Sequence, residues 1–240
     1  MTTIIAEIGI NHNGDLERAM RMIEVAKECG ADIAKFQLYD PKKLLNPNEF
    51  KKKDWEIIKA SEVDDYDVQI LWAHCRHVGI EFMASAFDLE RLGWLEQLGV
   101  KRHKIASRSI YDREYCEAVK ATGKPTFISL GMQDDKKEPY SATLHRLGWG
   151  KFMYCISEYP TPLNKIERWV MDPFVSMYRG FSDHTIGIAA AQCAIAYGLP
   201  YVEKHFTLDK NLPGPDHTCS ATPEELKALC KFRDEVGQMG

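Results

Sequence analysis

The sequence predicts a (β/α)8 TIM barrel, an α/β fold forming a single domain over residues 1–240. Three observations carry this. Eight short runs rich in β-branched and aromatic residues recur from end to end, separated by helical stretches, which is the pattern of a parallel sheet with crossover helices. The length of 240 residues suits one barrel, roughly 250 residues in typical cases. The structural alternative, an open doubly wound sheet, would carry a glycine-rich phosphate motif, and the chain has neither G-x-G-x-x-G after strand 1 nor a Walker sequence.

The expected strands are 3–8, 32–38, 80–84, 102–106, 125–130, 151–156, 177–182 and 200–205. Each is short and set off by turn residues. Helical periodicity is clearest over 15–29, 66–78, 88–97, 112–121, 187–197 and 223–236, and weaker after strands 5 and 6. Asp15, Asp88 and Thr222-Pro223 are expected helix starts, the last with proline at the first helical position. Gly30, Gly79, Gly99, Gly123, Gly150 and Gly198 stand where a helix must stop before the next strand. The stretch 40–65 is long and lysine-rich, with room for a lid.

Composition removes several function classes. Hydrophobic residues make up 45% and charged residues 28%, an ordinary soluble balance. A formal charge of −4 gives no global basic field for nucleic acid or anionic membrane. No apolar run approaches the roughly 20 residues that span a bilayer, and the first residues, MTTIIAE, lack the basic and apolar regions of a secretory signal. The seven cysteines are scattered, odd in number and without C-x-x-C, so neither a disulfide framework nor a zinc ribbon is expected. A reducing, cytoplasmic compartment suits them.

Barrel enzymes place their working residues at the carboxyl ends of the strands, and polar residues gather there in this chain. Strand 1 ends in Glu7 and strand 2 carries Lys35 and Gln37. Strands 3 to 6 bring Ser85, Lys104 with Ser107, Ser129, and Ser157 with Tyr159. Strand 7 ends at Ser182-Asp183-His184 and strand 8 at Glu203-Lys204-His205. Residues two apart on a strand share a face, so Lys35 with Gln37, and Glu203 with His205, point together. A buried Lys or Glu costs several kcal/mol unless paired. One such residue is well explained by a structural ion pair, whereas several strands bearing them at one end indicate an active site. A lone histidine would be read as a hydrogen-bonded barrel residue. His184 and His205, at the tips of adjacent strands, are read as ligands of one divalent metal. Lys35 and Lys104 with the five serines 85, 107, 129, 157 and 182 form an expected anion cradle, although single serines near strand ends are common turn formers.

These residues resemble the N-acetylneuraminate (sialic acid) synthase family. The resemblance runs in order from Ala6-Glu7-Ile8-Gly9 and Asn11-His12-Asn13-Gly14 through Lys35-Phe36-Gln37, Lys104-Ile105-Ala106-Ser107 and Ser129-Leu130-Gly131-Met132. It continues through Tyr159-Pro160, Ser182-Asp183-His184-Thr185 and Glu203-Lys204-His205-Phe206-Thr207 to Gly214-Pro215-Asp216-His217. It implies a barrel that condenses phosphoenolpyruvate (PEP) with an aldose such as N-acetylmannosamine, giving a 2-keto-3-deoxy sugar acid and phosphate. It further implies a divalent metal, Mn or Mg, on His184 and His205. PEP would bind Lys35, Lys104, Ser85, Ser107, Ser129, Ser157 and Ser182, the sugar would bind Gln37, Tyr159 and Asp216, and Glu7 would handle protons.

Three departures bear on the acceptor. The family continues into an antifreeze-like domain that, in a dimer, lends an arginine to the partner's sugar site, and these 240 residues end with the last barrel helix. A homo-oligomer is an open expectation. The family's glutamate two residues after the strand-4 serine is replaced by Ser109, preceded by Arg108, and its Ser-Thr-Pro-Phe reads Ala84-Ser85-Ala86-Phe87. The PEP and metal half is retained and the sugar half is altered. Two other readings stand beside this one: another metal-dependent aldolase or isomerase barrel, and an impaired barrel kept as a binding subunit.

Overall fold

The structure, a computed structural model, describes residues 1–44 and 52–239. Eight parallel strands close into a barrel in chain order. They are β1 (Thr3–Gly9), β2 (Ile33–Leu38), β3 (Glu81–Ala86), β4 (His103–Ile105), β5 (Thr126–Ser129), β6 (Lys151–Tyr154), β7 (Gly180–Asp183) and β8 (Tyr201–His205). All eight expected strands are present, most trimmed by one or two residues. β7 starts three residues later than the sequence suggests, at Gly180, whose added Cβ would lie 3.1 Å from the Met153 side chain.

The helices are α1 (Leu16–Glu28), α2 (Pro41–Leu44), α3 (Lys52–Ala60), α4 (Asp65–Val78), α5 (Leu89–Gln97), α6 (Arg113–Ala121), α7 (Tyr140–Leu147), α8 (Ala189–Ala196) and α9 (Pro223–Val236). The three expected starts hold. Asp15 and Asp88 each accept a hydrogen bond from the backbone three residues on, and Thr222 forms a full capping box with Glu225. Asp64 and Asp112 cap α4 and α6 in the same way. Gly79 ends α4 in the left-handed conformation expected of a helix-stopping glycine, φ 76°. Gly150 has a different reason to be glycine: an added Cβ would lie 2.5 Å from Ile128 Cδ1.

The weak expectation after β6 resolves into two 3-10 turns, Leu163–Lys165 and Arg168–Met171, with no α-helix between β6 and β7. Pro160, Pro162 and Pro173 break that stretch. The lid expected in 40–65 falls partly on residues 45–51, outside the described residues. All seven cysteines are free, and all but Cys193 are buried. No helix among the described residues is long and apolar enough to cross a membrane.

The barrel interior is layered by the two-residue period of its strands. Ile5, Ile33, Met83, Phe127 and Met153 make an apolar floor with Tyr201 packed against it. One step higher toward the carboxyl ends, the register sets Glu7 beside Lys35 and His205, Ser85 beside Lys104, and Ser182 beside Glu203. The odd-numbered set on β1 and β2 thus changes from apolar to charged in one step. The alternate residues face outward into the main core between sheet and helices, where Ile4, Ala6, Ala34 and Phe36 are fully buried.

Candidate active site

A cavity of about 510 Å³ opens at the carboxyl ends of the strands. All thirteen residues singled out from the sequence line it. Its base is a connected charge cluster. Lys35 Nζ lies 2.9 Å from Glu7 Oε2 and 3.4 Å from Glu203 Oε2. Lys104 Nζ donates to both Glu203 oxygens, at 2.9 and 2.8 Å. Ser182 Oγ donates to Glu203 Oε1 at 2.6 Å, and Gln37 Nε2 to Glu7 Oε1 at 2.9 Å. The four charged side chains are almost fully buried. Two ammoniums and two carboxylates balance, and this balance lets a barrel interior hold four charges.

Burial and mutual contact shift these groups. Burial raises the Glu7 carboxyl, opposed by Lys35 and reinforced by Glu203. Burial acts on Glu203 in the same sense, but Lys104 and Lys35 outweigh it and hold that carboxyl below the ordinary range. Burial lowers the Lys104 ammonium against the pull of Glu203. Lys35, which touches both carboxylates, is raised despite its burial.

Glu203 is the cluster's centre, yet the sequence suggested no role for it beyond sharing a face with His205. That shared face was the available signal. Around the cluster, Ser107 Oγ accepts from Gly131 N at 3.0 Å and sits 3.3 Å from Cys155 Sγ. Ser129 Oγ is buried with no hydrogen-bond partner among the described residues. Cys155 lines the cavity and was not anticipated.

The two histidines meet above the cluster, ring centroids 5.5 Å apart. His184 Nδ1 lies 2.6 Å from the Ile156 carbonyl, which can only accept. The proton therefore sits on Nδ1, and Nε2 presents its lone pair toward Tyr159 Oη at 3.1 Å. Burial lowers His184 to about 4, and burial with the neighbouring His184 puts His205 well below its ordinary value. Both rings are thus neutral near pH 7, the form that ligates metals. His205 Nδ1 is a buried nitrogen with no hydrogen-bond partner among the described residues, 3.8 Å from Asp216 Oδ2. Burial, with Glu7 adding to it, pushes the Asp216 carboxyl up to about 7.

Among the described residues no three His, Cys, Asp or Glu side chains form a ready-made metal cage. The two neutral imidazoles with one carboxylate alongside do fit a divalent first-row metal in kind. A catalytic site leaves coordination positions open for substrate or water.

Arg108, on the turn after β4, is exposed and lines the cavity. Ser109 does not line it; its carbonyl accepts from Cys116 Sγ on α6.

Comparison with known proteins agrees with this geometry. The NeuB family profile matches residues 22–239. The chain belongs to the NeuB family. It is 37% identical over 260 residues to N,N'-diacetyllegionaminic acid synthase of Legionella pneumophila, covering 99% of this chain and 73% of that protein. It is 35% identical over 244 residues to N-acetylneuraminate-9-phosphate synthase of Homo sapiens, covering 95% and 68%. The crystal structure of N-acetylneuraminic acid synthetase from Leptospira borgpetersenii, in complex with citrate, superposes with a TM-score of 0.86 at 29% identity. That match covers 99% of this chain and 84% of the other. The NeuB fold and the resemblance read from the sequence are thus both found.

Proposed function

We propose that this NeuB-family barrel condenses PEP with an aldose, giving a 2-keto-3-deoxy sugar acid and inorganic phosphate. The observation that carries this reading is the pairing, in one cavity, of two buried lysines ringed by serine hydroxyls with two neutral histidines directly above. The first half suits an oxyanion-rich substrate and the second suits activation of a carbonyl.

In this scheme Lys35 and Lys104 bind the phosphate and carboxylate of PEP, and the Ser85, Ser107, Ser129, Ser157 and Ser182 hydroxyls complete the cradle. A divalent metal such as Mn²⁺ or Mg²⁺, held by His184 and His205 with Asp216 alongside, would supply Lewis-acid polarisation of the acceptor aldehyde. The π pair between PEP carbons 2 and 3 forms the new bond from carbon 3 to the aldehyde carbon. The carbonyl π pair passes to the aldehyde oxygen, which takes up a proton to become a hydroxyl, and positive charge develops at PEP carbon 2. Glu7, already paired to Lys35, lies in the cavity to stabilise that charge and to take a proton from the water that adds there. Collapse of the tetrahedral adduct breaks its bond to the phosphate oxygen and releases phosphate. Gln37, Tyr159 and Asp216 line the same cavity and hold the acceptor by hydrogen bonds.

In this reading N-acetylmannosamine is a poor acceptor, and a different aldose or a related aldehyde is preferred. Support comes from the 109 position, where a serine outside the cavity replaces the family's glutamate, and from Arg108, which adds positive charge at the cavity wall.

Phosphate release from PEP, measured across a panel of aldoses with Mn²⁺, tests the reaction. Aldose-dependent release supports it, and release with no aldose, or none with any, counts against it. Metal analysis tests the ligands. His184→Ala and His205→Ala should each fold and lose stoichiometric metal, and folded variants that both keep it would refute the assignment.

A further inference from the structure

Glu203 takes no part in the scheme above, yet its carboxylate gathers four polar contacts from three residues of the cavity. It receives Lys104 at 2.9 and 2.8 Å, Lys35 at 3.4 Å and Ser182 at 2.6 Å. Every donor on it belongs to the set assigned to PEP. A ligand phosphate or carboxylate that reaches those lysines must therefore share them with a carboxylate already in place. Coulomb repulsion between two anions a few ångströms apart is large in so buried a site.

Such an arrangement would be a defect if the cavity had only to bind its substrate. It has a use in a reaction that splits one polyanion into two anionic products, both of which must leave. Two uncompensated buried ammoniums would hold inorganic phosphate tightly as well as PEP. Glu203 and Glu7 make the empty quartet neutral, so that the lysines are satisfied when the products depart.

We propose that Glu203 is a built-in counter-anion, a positioning residue that acts through Lys35 and Lys104. It occupies the two ammoniums between turnovers, and by competing for them it weakens their hold on inorganic phosphate so that product leaves. The proposal rests on the reading of Lys35 and Lys104 as the PEP cradle. It adds that the cradle's affinity is limited by a charge of the protein's own.

The test is calorimetric titration of inorganic phosphate, and separately of PEP, into Mg²⁺-loaded wild type and Glu203→Gln. Glutamine keeps the side-chain shape and removes the charge. The expected result is phosphate binding tightened about tenfold or more, tenfold being ~1.4 kcal/mol. In steady state, KM for PEP and kcat should fall together, with stronger inhibition by phosphate. A merely structural role predicts the reverse sign, because loosened lysines would bind both anions more weakly. Unchanged or weaker phosphate binding by folded Glu203→Gln overturns the proposal. Should that variant not fold, Glu203→Asp decides the matter. It keeps the charge but draws it back from the lysines, and phosphate affinity should rise by a smaller factor; no rise overturns the proposal. Wild type that binds neither PEP nor phosphate would instead overturn the cradle reading itself.

Discussion

Glu203 and Lys204 are neighbours on β8, both buried and both charged, and they point to opposite faces of the barrel wall. Lys204 faces outward. Its Nζ lies 3.1 Å from Asp183 Oδ2 and donates to the Thr185 carbonyl at 2.5 Å, with both charged side chains at 0% exposure. Neither residue lines the cavity. Glu203 faces inward, onto 510 Å³ of open space shared with both cradle lysines. Buried charge alone therefore does not mark a site. It does so where a cavity lets a ligand compete for the members of the pair. The sealed outer pair serves the wall instead. Asp183 and Lys204 directly precede His184 and His205 and are register partners across β7 and β8.

This contrast can be broken by mutation. The largest expected effect is on the sealed pair. Lys204→Met strands Asp183 in an apolar wall, and thermal or urea unfolding should show a loss of about 3–5 kcal/mol. A loss below ~1 kcal/mol, the scale of an exposed pair, would show that the outer pair does not hold the wall. A smaller effect is expected from Ser182→Ala inside the barrel. It removes one charge-assisted hydrogen bond from Glu203 but leaves both lysines, so unfolding should cost about 1.5–3 kcal/mol. A cost equal to that of Lys204→Met would erase the distinction between the two faces.

The last effect lies at the cavity wall rather than in its base, and it is one of selectivity. With Ser109 outside the cavity and Arg108 lining it, N-acetylmannosamine should be a poor acceptor against its 6-phosphate and simple aldoses. The quantity to compare is kcat/KM at fixed PEP and Mn²⁺. Turnover of N-acetylmannosamine at about 10⁴ M⁻¹s⁻¹ or better, with the others poor, would show that the altered 108–109 turn leaves acceptor choice unchanged.

The strand pattern was legible because each strand is a short β-branched run, and twelve of the thirteen cavity-lining candidates were legible because strand ends and the two-residue period place polar groups together; Asp216, beyond β8, came only with the family resemblance. Other features were not. Glu203 looked like a neighbour of His205, because nothing in one strand's sequence says which residues of β2 and β4 will reach across the barrel to it. The missing helix between β6 and β7 left only a weak periodicity, and its prolines acted as breakers. Gly150 looked like a helix stop, whereas its true constraint is Ile128, a contact between β5 and the start of β6 that no local pattern encodes. Lys204 was grouped with the polar strand end; the two-residue period puts it on the face opposite Glu203 and His205, and the closed wall shows its partner there, Asp183.

The claim at the centre of this account is that the inward-facing lysines bind PEP. Calorimetric titration of PEP into Mn²⁺-loaded wild type, Lys35→Met and Lys104→Met addresses it directly. Each substitution removes a charge-assisted contact, and each should weaken PEP binding by about 1.5–3 kcal/mol while the protein stays folded. PEP affinity unchanged in both folded variants would contradict the account.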